Sequence, residues 1–343
     1  MSLTSEQNAW TNPVRFRLEP EASDPDQLVT STLLPGDIGY IRLRDFDATC
    51  SQEIEWDLRA LESQGARALV LDLRGNPGGM VFEAVEIVDK FVGEGETLTT
   101  LWENDGDPDE EPSEQELTST DSDTDRDLPV AVLIDRCSAS ASEMTSGALQ
   151  DLERATVVGR TSWGKGIGQN SGGVRGFTRR SVFGETTGSL GLSITVLEYF
   201  LPSGRSIQGV GVVPDVSVVL PSLLGERFEL VRRARQDTRV VEYAADLLDE
   251  QPELARELAT YDGWDRSRYP GFEALEDDLG LHLESDLVRE ALRLALRDEL
   301  ALRGESLLVD LQADEDLRAA VTVLAEPLEL DLYELPPYED LAD

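Results

Sequence analysis

Three short, almost entirely apolar runs constrain the fold of this chain more than any other feature. They cover residues 68–73, 130–134 and 155–158. Runs of this length without polar alternation are typical of strands buried on both faces of a parallel sheet. Segments with helical spacing separate them: 51–64, a stretch after the turn at 74–79 that continues to residue 92, and about 140–153. This alternation predicts an α/β fold.

The same patterns divide the chain into three regions. Residues 1–35 hold one strand-like run at 14–18 and then turn acidic; residues 36–220 carry the α/β alternation, beginning with a period-two strand at 38–43. An acidic, turn-rich insertion at 103–128 interrupts this core, and it lacks the ligand spacing of an EF-hand. We expect it to be a solvated surface excursion, with a cation-binding loop as the less favoured alternative. Residues 221–343 show i, i+3, i+4 apolar spacing and are predicted to be helical.

Composition excludes several classes of function. The chain has 343 residues with 30 Lys+Arg against 69 Asp+Glu, a formal charge of −39. Nucleic-acid phosphates require a basic surface, so nucleic acid is not an expected partner, and anionic membranes are disfavoured for the same reason. No apolar run approaches the ~20 residues of a membrane span. One histidine and two cysteines cannot build a Cys/His zinc cluster, and neither a metal nor a cofactor is predicted. A disulfide between Cys50 and Cys137 stays open.

The scarcity of histidine also limits the catalytic bases available to a hydrolase. The single histidine, His282, lies in Gly-Leu-His-Leu-Glu-Ser, whose apolar and acidic residues are typical of ordinary helix packing. We therefore expect any hydrolase on this chain to use a different base. Lysine is almost as rare, because Lys90 and Lys165 are the only two and every other positive charge is arginine.

Ser140 has two interpretations. With Glu143 it forms Ser-x-x-Glu, a capping box that opens a helix after a buried strand. A strand-to-helix turn is also where α/β enzymes display a nucleophile, and the amides of a helix N-terminus stabilise developing negative charge. Local sequence does not separate the cap from the nucleophile.

Lys165 lies among glycines in Thr-Ser-Trp-Gly-Lys-Gly-Ile-Gly-Gln, residues 161–169. A lysine acts as a general base only when it is neutral, which requires a site shielded from water, and arginine cannot replace it. Trp163 and Ile167 are candidates for that apolar shield. The alternative, a solvent-exposed loop lysine, is weakened because the chain otherwise uses arginine almost exclusively. A phosphate-binding loop at 159–166 is disfavoured because Gly166 replaces the required Ser or Thr.

Separated motifs between residues 36 and 216 resemble the C-terminal processing, or tail-specific, serine proteases, and specifically their bacterial periplasmic branch. The motifs are Gly-Tyr-Ile-Arg-Leu (39–43), Leu-Asp-Leu-Arg-Gly-Asn-Pro-Gly-Gly (71–79), Ser-Ala-Ser-Ala-Ser-Glu (138–143), Gly-Lys-Gly-Ile-Gly-Gln (164–169), Tyr-Phe-Leu-Pro-Ser-Gly-Arg-Ser-Ile-Gln-Gly (199–209) and Gly-Val-Val-Pro-Asp (211–215). The resemblance implies a core of stacked ββα units (ClpP/crotonase-like), a small strand-rich N-terminal cap and a helical C-terminal addition.

The resemblance also assigns residues to roles. It implies a Ser-Lys dyad in which Ser140 is the nucleophile and Lys165 the general base, with Gln169 orienting the lysine. The oxyanion hole it implies uses the amide of Gly78 or Gly79 together with that of Ala141. Ser140 would attack peptide bonds, near substrate C-termini, and form an acyl-enzyme.

Two departures from the family pattern bear on specificity. Members normally carry a complete PDZ domain before the core, whereas only residues of about 12–35 could be its last strand and exit linker, so tail specificity is left open. Cys137 stands where relatives often have glycine or phenylalanine, a change that we expect to be tolerated.

Partners and location follow from the same resemblance. It implies protein or peptide substrates and a periplasmic or extracellular location, although residues 1–8 carry neither a basic nor an apolar signal region. No membrane insertion is expected, and homo-oligomerisation through the helical C-terminal region is an option equal to its packing on the core. Two alternatives stay open: a non-proteolytic binding scaffold on this fold, and a protease that is latent until a partner binds.

Overall fold

The computed structural model describes residues 27–103, 112–120, 126–181, 184–219, 226–279, 284–305, 307–335 and 337–341. The predicted strand at 14–18 and His282 lie outside these residues, as do residues 104–111 and 121–125 of the acidic insertion. The chain forms two compact units. The first, called the sheet unit, comprises Leu28–Ser222 and Leu308–Asp343; the second, called the helical unit, contains residues 223–307.

The sheet unit is built on a six-stranded sheet. Its strands are β1 (Val29–Leu34), β2 (Ile38–Leu43), β3 (Ala68–Asp72), β6 (Val130–Ile134), β7 (Ala155–Gly159) and β10 (Val216–Ser217), in the order β1-β2-β3-β6-β7-β10. β1 pairs antiparallel with β2, and every later pair is parallel. The three apolar runs are thus the central strands β3, β6 and β7.

Both faces of this sheet are covered. Along β3, Leu69 and Leu71 belong to one hydrophobic core, while Ala68 and Val70 belong to a second core on the opposite face. Side chains alternate between the faces of a strand, so a strand buried on both sides must be apolar at every position. The continuous apolar runs have this physical cause.

Helices from distant parts of the sequence supply the cover. The first core takes in α1 (Cys50–Ser63), α2 (Val81–Asp89) and α3 (Ala141–Asp151). The second takes in α9 (Glu315–Leu328), which contacts β3, β6 and β7, and it extends through two short 3-10 helices, Leu332–Glu334 and Glu339–Leu341. The sequence predicted one helical region over 221–343. In the structure this stretch divides between the two units: residues 223–307 belong to the helical unit, and α9 belongs to the sheet unit because its apolar face packs on the six-stranded sheet.

A smaller antiparallel sheet completes the sheet unit. Its strands are β4 (Thr97–Glu103), β5 (Ser113–Thr118), β8 (Ile167–Ser181) and β9 (Gly184–Phe200), in the order β5-β4-β9-β8. β5 belongs to the acidic insertion, and five of its six side chains are exposed. This part of the insertion is therefore an edge strand that faces solvent.

The helical unit consists of helices in its described part. They are α4 (Glu226–Arg235), α5 (Thr238–Glu250), α6 (Pro252–Thr260), α7 (Phe272–Leu279) and α8 (Ser285–Leu302), with a 3-10 turn at Arg266–Arg268. α5, α6 and α8 share a core that includes Val240, Leu258 and Leu292. Arg289 binds the buried carboxylate of Asp262 at 2.5 Å, and Asp262 also accepts a hydrogen bond from Tyr269.

The predicted α/β fold class is confirmed. Over the described part of the chain, no helix combines the length and the apolar character needed to cross a bilayer.

Gly159 at the end of β7 allows a close approach between two central strands. Its φ is +125°, and a methyl group there would lie 2.2 Å from the Ile134 carbonyl oxygen. We expect Gly159→Ala to destabilise the protein by about 3 kcal/mol, because a backbone clash adds to the left-handed strain. The matched control is Gly65→Ala, where φ is +100° and a methyl group meets no described atom within 4 Å. It should cost about 1 kcal/mol. Equal losses of unfolding free energy in urea would contradict this account.

Candidate active site

Three predicted motifs meet at one edge of the six-stranded sheet. The turn at 74–79 follows β3, the segment 135–140 follows β6, and the loop at 160–166 follows β7. These strands are parallel, so their carboxyl ends lie at the same edge. Asp135 joins two of the segments, since its carboxylate accepts the amide of Gly75 at 3.0 Å and that of Cys137 at 2.9 Å.

Ser140 lies at the N-cap of α3 in an unusual backbone conformation. Its φ is 57° and its ψ is −116°, and the residue is buried. A non-glycine residue at positive φ typically costs 1–3 kcal/mol and persists only where its surroundings enforce it. The contacts of its neighbours identify what enforces it here.

The carboxylate of Glu143 makes the hydrogen bonds that hold this backbone conformation. Glu143 is fully buried and accepts four hydrogen bonds. Its Oε1 accepts from the Ser162 hydroxyl at 2.5 Å and the Gly164 amide at 2.7 Å. Its Oε2 accepts from the amides of Ser140 and Lys165, at 2.9 Å and 2.8 Å. The backbones of Ser140 and Lys165 are therefore within two hydrogen-bond lengths of each other.

Tyr199, on β9, makes a second bridge between the same two residues. Its hydroxyl lies 2.9 Å from the Ser140 carbonyl oxygen and also within hydrogen-bond distance of the Lys165 carbonyl oxygen. The one hydroxyl proton can serve one carbonyl at a time. Burial raises the pKa of Tyr199, and the Glu143 charge raises it further, so this hydroxyl stays a donor at physiological pH. Glu143 therefore binds the two amides at once, whereas the Tyr199 hydroxyl lies between the two carbonyls and donates to either one of them.

The side chains of the predicted catalytic residues are not joined directly. Among the described residues, no hydrogen bond connects the side chains of Ser140, Lys165 and Gln169. Lys165 is half-buried, and Gln169 lies exposed on β8. The expected apolar shield is incomplete, because Ile167 is half-buried and the Trp163 side chain is 70% exposed.

The glycine turn lies directly against Ser140. A methyl group on Gly78 would come within 2.7 Å of the Ser140 Cβ, so only glycine fits there. Asn76 is fully buried and connects the turn to the serine segment: its carbonyl accepts the Ala139 amide, and its Oδ1 accepts the Gly78 amide at 2.8 Å. Within the described chain, the amides of Gly79 and Ala141 have no such partner. Of the two alternatives for the turn, Gly79 is the one with a free donor.

Two further questions from the sequence are answered by the geometry. The loop at 159–166 is followed by the strand β8 and not by a helix, which contradicts a phosphate-binding loop. Both cysteines are free thiols: Cys50 is buried with its Sγ 3.6 Å from Glu83 Oε2, and Cys137 is exposed.

Sequence reasoning missed part of this site. It identified Glu143 only as a helix cap, and it did not single out Asn76 or Tyr199 as contacts of the serine segment. Both residues lie within the quoted motifs at 71–79 and 199–209, so a signal was present, but nothing in the local sequence names their partners.

Comparisons with known proteins identify the family of this chain. The sequence profile described as "Peptidase family S41" matches residues 37–218. A carboxy-terminal-processing protease of Bartonella bacilliformis is 35% identical over 190 residues, 54% of this chain and 40% of that protein. A carboxyl-terminal-processing protease of Synechocystis sp. is 35% identical over 184 residues, 54% of this chain and 38% of that protein. This chain thus spans less than half the length of these relatives.

A solved structure is also similar. The photosystem II D1 C-terminal processing protease aligns with a TM-score of 0.44 at 29% identity, covering 56% of this chain and 48% of that chain.

The Tyr199 bridge predicts a stability difference between two tyrosines. We expect Tyr199→Phe to lower the free energy of unfolding by about 1 kcal/mol, because the Lys165 carbonyl loses its donor. The matched control is Tyr338→Phe in the same unit: the Tyr338 hydroxyl is buried and has no hydrogen-bond partner among the described residues. Its removal should change stability by less than about 0.5 kcal/mol. Chemical denaturation of both variants, followed by the same probe, makes the comparison; a larger loss for Tyr338→Phe would refute the bridge.

Proposed function

The chain belongs to peptidase family S41, and we propose that it is a serine endopeptidase with Ser140 as nucleophile and Lys165 as general base. The observation that carries the proposal is the double bridge of Glu143 and Tyr199. A nucleophile and a base must lie within reach of each other, and this pair of buried side chains keeps their backbones adjacent.

Acylation would begin with a proton transfer. The neutral Lys165 amine takes the proton of the Ser140 hydroxyl, and the Ser140 oxygen attacks the carbonyl carbon of the scissile peptide bond. The C–N bond then breaks, the amine product leaves with the proton returned by Lys165, and an ester on Ser140 remains. Gln169, four residues beyond Lys165, is proposed to orient the lysine amine.

The negative charge of the tetrahedral intermediate needs preorganised donors. We assign this role to the amides of Gly79 and Ala141, since the Gly78 amide already donates to Asn76. Ala141 is the first residue of α3, so its amide has no acceptor inside the helix, and the helix dipole also favours negative charge at this point. Gly78 contributes clearance, because any side chain there would collide with Ser140.

Deacylation would reuse the same base. Lys165 takes a proton from a water molecule, the hydroxide attacks the ester carbon, and the Ser140 oxygen leaves and recovers its proton from the lysine. The cycle consumes one water for each peptide bond and requires no cofactor or metal.

Substrates and location are inferred from the relatives. Their names describe carboxyl-terminal processing, and we propose that this chain cuts protein substrates near their C-termini. A periplasmic or extracellular location is part of the same proposal. The chain has a formal charge of −39, which repels other anionic surfaces, so we expect its substrates not to be presented on such a surface.

One observation favours a related alternative, a protease that is latent until a partner or substrate binds. The side chains of Ser140 and Lys165 share no hydrogen bond in the described chain, so forming the dyad requires a rearrangement of at least one of the two side chains. The latent form predicts that a serine-reactive probe labels Ser140 faster once an unfolded polypeptide is added. Equal rates without and with the polypeptide would remove this alternative.

The two lysines provide a matched test of the proposed base. Lys165→Arg should lower the hydrolysis of a fluorescently labelled unfolded protein by at least about a thousandfold, because arginine does not release its proton. Lys90→Arg should leave activity within about twofold. Lys90 has no role in the proposed chemistry: it is buried, and its ammonium lies 3.9 Å from Glu55.

Ser140→Ala completes the test and should abolish hydrolysis to a similar extent. Circular dichroism and thermal unfolding establish that each variant is folded. Full activity in either Ser140→Ala or Lys165→Arg would overturn the proposed dyad.

A further inference from the structure

The N-terminus of α9 places two carboxylates against the carboxyl edge of the six-stranded sheet. Asp314 accepts two hydrogen bonds from the Arg74 guanidinium, both at 2.7 Å, and it also caps α9 by accepting the Leu317 amide. Asp316, two residues further along the chain, is almost completely buried. These two residues lie more than 140 positions after the last proposed catalytic residue.

Asp316 binds two arginines at once. Its Oδ2 accepts from Arg74 at 3.1 Å and from Arg160 at 2.7 Å, and its Oδ1 accepts from Arg160 at 3.2 Å. Among the contacts described in the sheet unit, Asp316 is thus the carboxylate that joins Arg74 to Arg160.

The two arginines mark the starts of the two functional loops. Arg74 opens the turn that ends in Gly78 and Gly79, and Arg160 opens the loop that carries Lys165. The carboxylate of Asp316 therefore ties together the segment proposed to hold the oxyanion and the segment proposed to hold the base.

Arg74 is also fixed from the opposite side. Asp72 binds its guanidinium at 2.7 Å, and the Tyr40 hydroxyl donates to Asp72 at 2.6 Å. Burial alone would raise the pKa of Asp72, but the hydrogen bonds and charge of Arg74 lower it below its usual value. Asp72 is therefore ionised at neutral pH, and the guanidinium is held between carboxylates of β3 and α9. A planar guanidinium with several fixed partners has little freedom to move.

We propose that Asp316 is a positioning residue that holds the oxyanion turn at 74–79 and the lysine loop at 160–166 in a fixed position relative to each other. The C-terminal segment 308–343 is thereby part of the active-site scaffold. The catalytic part of this inference rests on the proposed function, whereas the mechanical part, the coupling of the two loops, does not.

The mechanical part is tested by amide hydrogen exchange of the whole chain. Asp316→Asn removes the negative charge and turns one acceptor oxygen into an amide donor, so at least one of the hydrogen bonds from Arg74 and Arg160 to this side chain is lost. Exchange should accelerate by about tenfold in peptides covering both 74–79 and 160–166, the factor that corresponds to the loss of a charged hydrogen bond. The matched control is Glu315→Gln: it makes the same charge change at the adjacent, exposed position and should leave both loops unchanged.

The catalytic part is tested by the rate at which a fluorophosphonate probe labels Ser140. The rate is measured well below the thermal midpoint of every variant, where loss of stability alone does not change the rate of the folded protein. Asp316→Asn should label about tenfold more slowly than wild type, and Glu315→Gln should label at the wild-type rate. Should Asp316→Asn not fold, Arg160→Gln breaks the same bridge from the other end, leaves Asp316 paired with Arg74, and should give the same two results.

The outcomes separate this inference from the proposed function. Faster exchange in both loops together with slower labelling supports it. Unchanged exchange in either loop overturns the coupling, and faster exchange with unchanged labelling overturns the positioning role. If wild type is never labelled, even with an unfolded polypeptide added, while exchange still responds to Asp316→Asn, the proposed protease fails and the coupling of the loops stands.

Discussion

The buried carboxylate of Glu143 is the interaction on which the site depends. A charge out of contact with water is costly unless hydrogen bonds compensate it fully. Here the four donors are neutral: three backbone amides and one hydroxyl. Satisfying this single carboxylate therefore dictates the path of the main chain from Ser162 to Lys165. The strained conformation of Ser140 is held by the same atom that fixes the lysine backbone.

Support for the site extends outward in layers that are distant in sequence. Tyr199 comes from the smaller sheet, Asn76 from the turn after β3, and Asp316 from a helix near the end of the chain. Each uses buried polar atoms with defined partners, which restrict position more narrowly than apolar packing does. The site is consequently a property of the whole sheet unit. A segment that contained only the catalytic motifs would lack the contacts that bring them together.

Local sequence patterns predicted much of the fold, because the spacing of apolar residues that marks a buried strand or helix face can be recognised in a short segment. The apolar run at 130–134 is β6 to the residue, and the period-two stretch at 38–43 is β2. The sequence could not show which surface α9 covers. The spacing of apolar residues in an amphipathic helix shows that one face is buried, but it does not show which part of the protein buries it. Asp314, one of the partners of Arg74, lies 240 residues away from it, beyond the reach of any spacing rule.

The sequence likewise pointed to residues of the site but not to most of their contacts. The capping box correctly paired Glu143 with Ser140, but the same pattern is silent about Ser162 and Gly164. Scarcity of lysine drew attention to Lys165, yet it could not separate this residue from Lys90, which is buried next to Glu55 among structural charges. Burial and contacts distinguish the two, and these become visible only in three dimensions.

The most direct test of the central claim is a crystal structure of this chain after reaction with a peptidyl phosphonate. We expect a covalent bond from the Ser140 oxygen to phosphorus. The phosphoryl oxygen should accept hydrogen bonds from the Gly79 and Ala141 amides, and the Lys165 amine should lie within hydrogen-bond reach of the Ser140 oxygen. An adduct on another residue, or a phosphoryl oxygen directed away from both amides, would contradict the central claim.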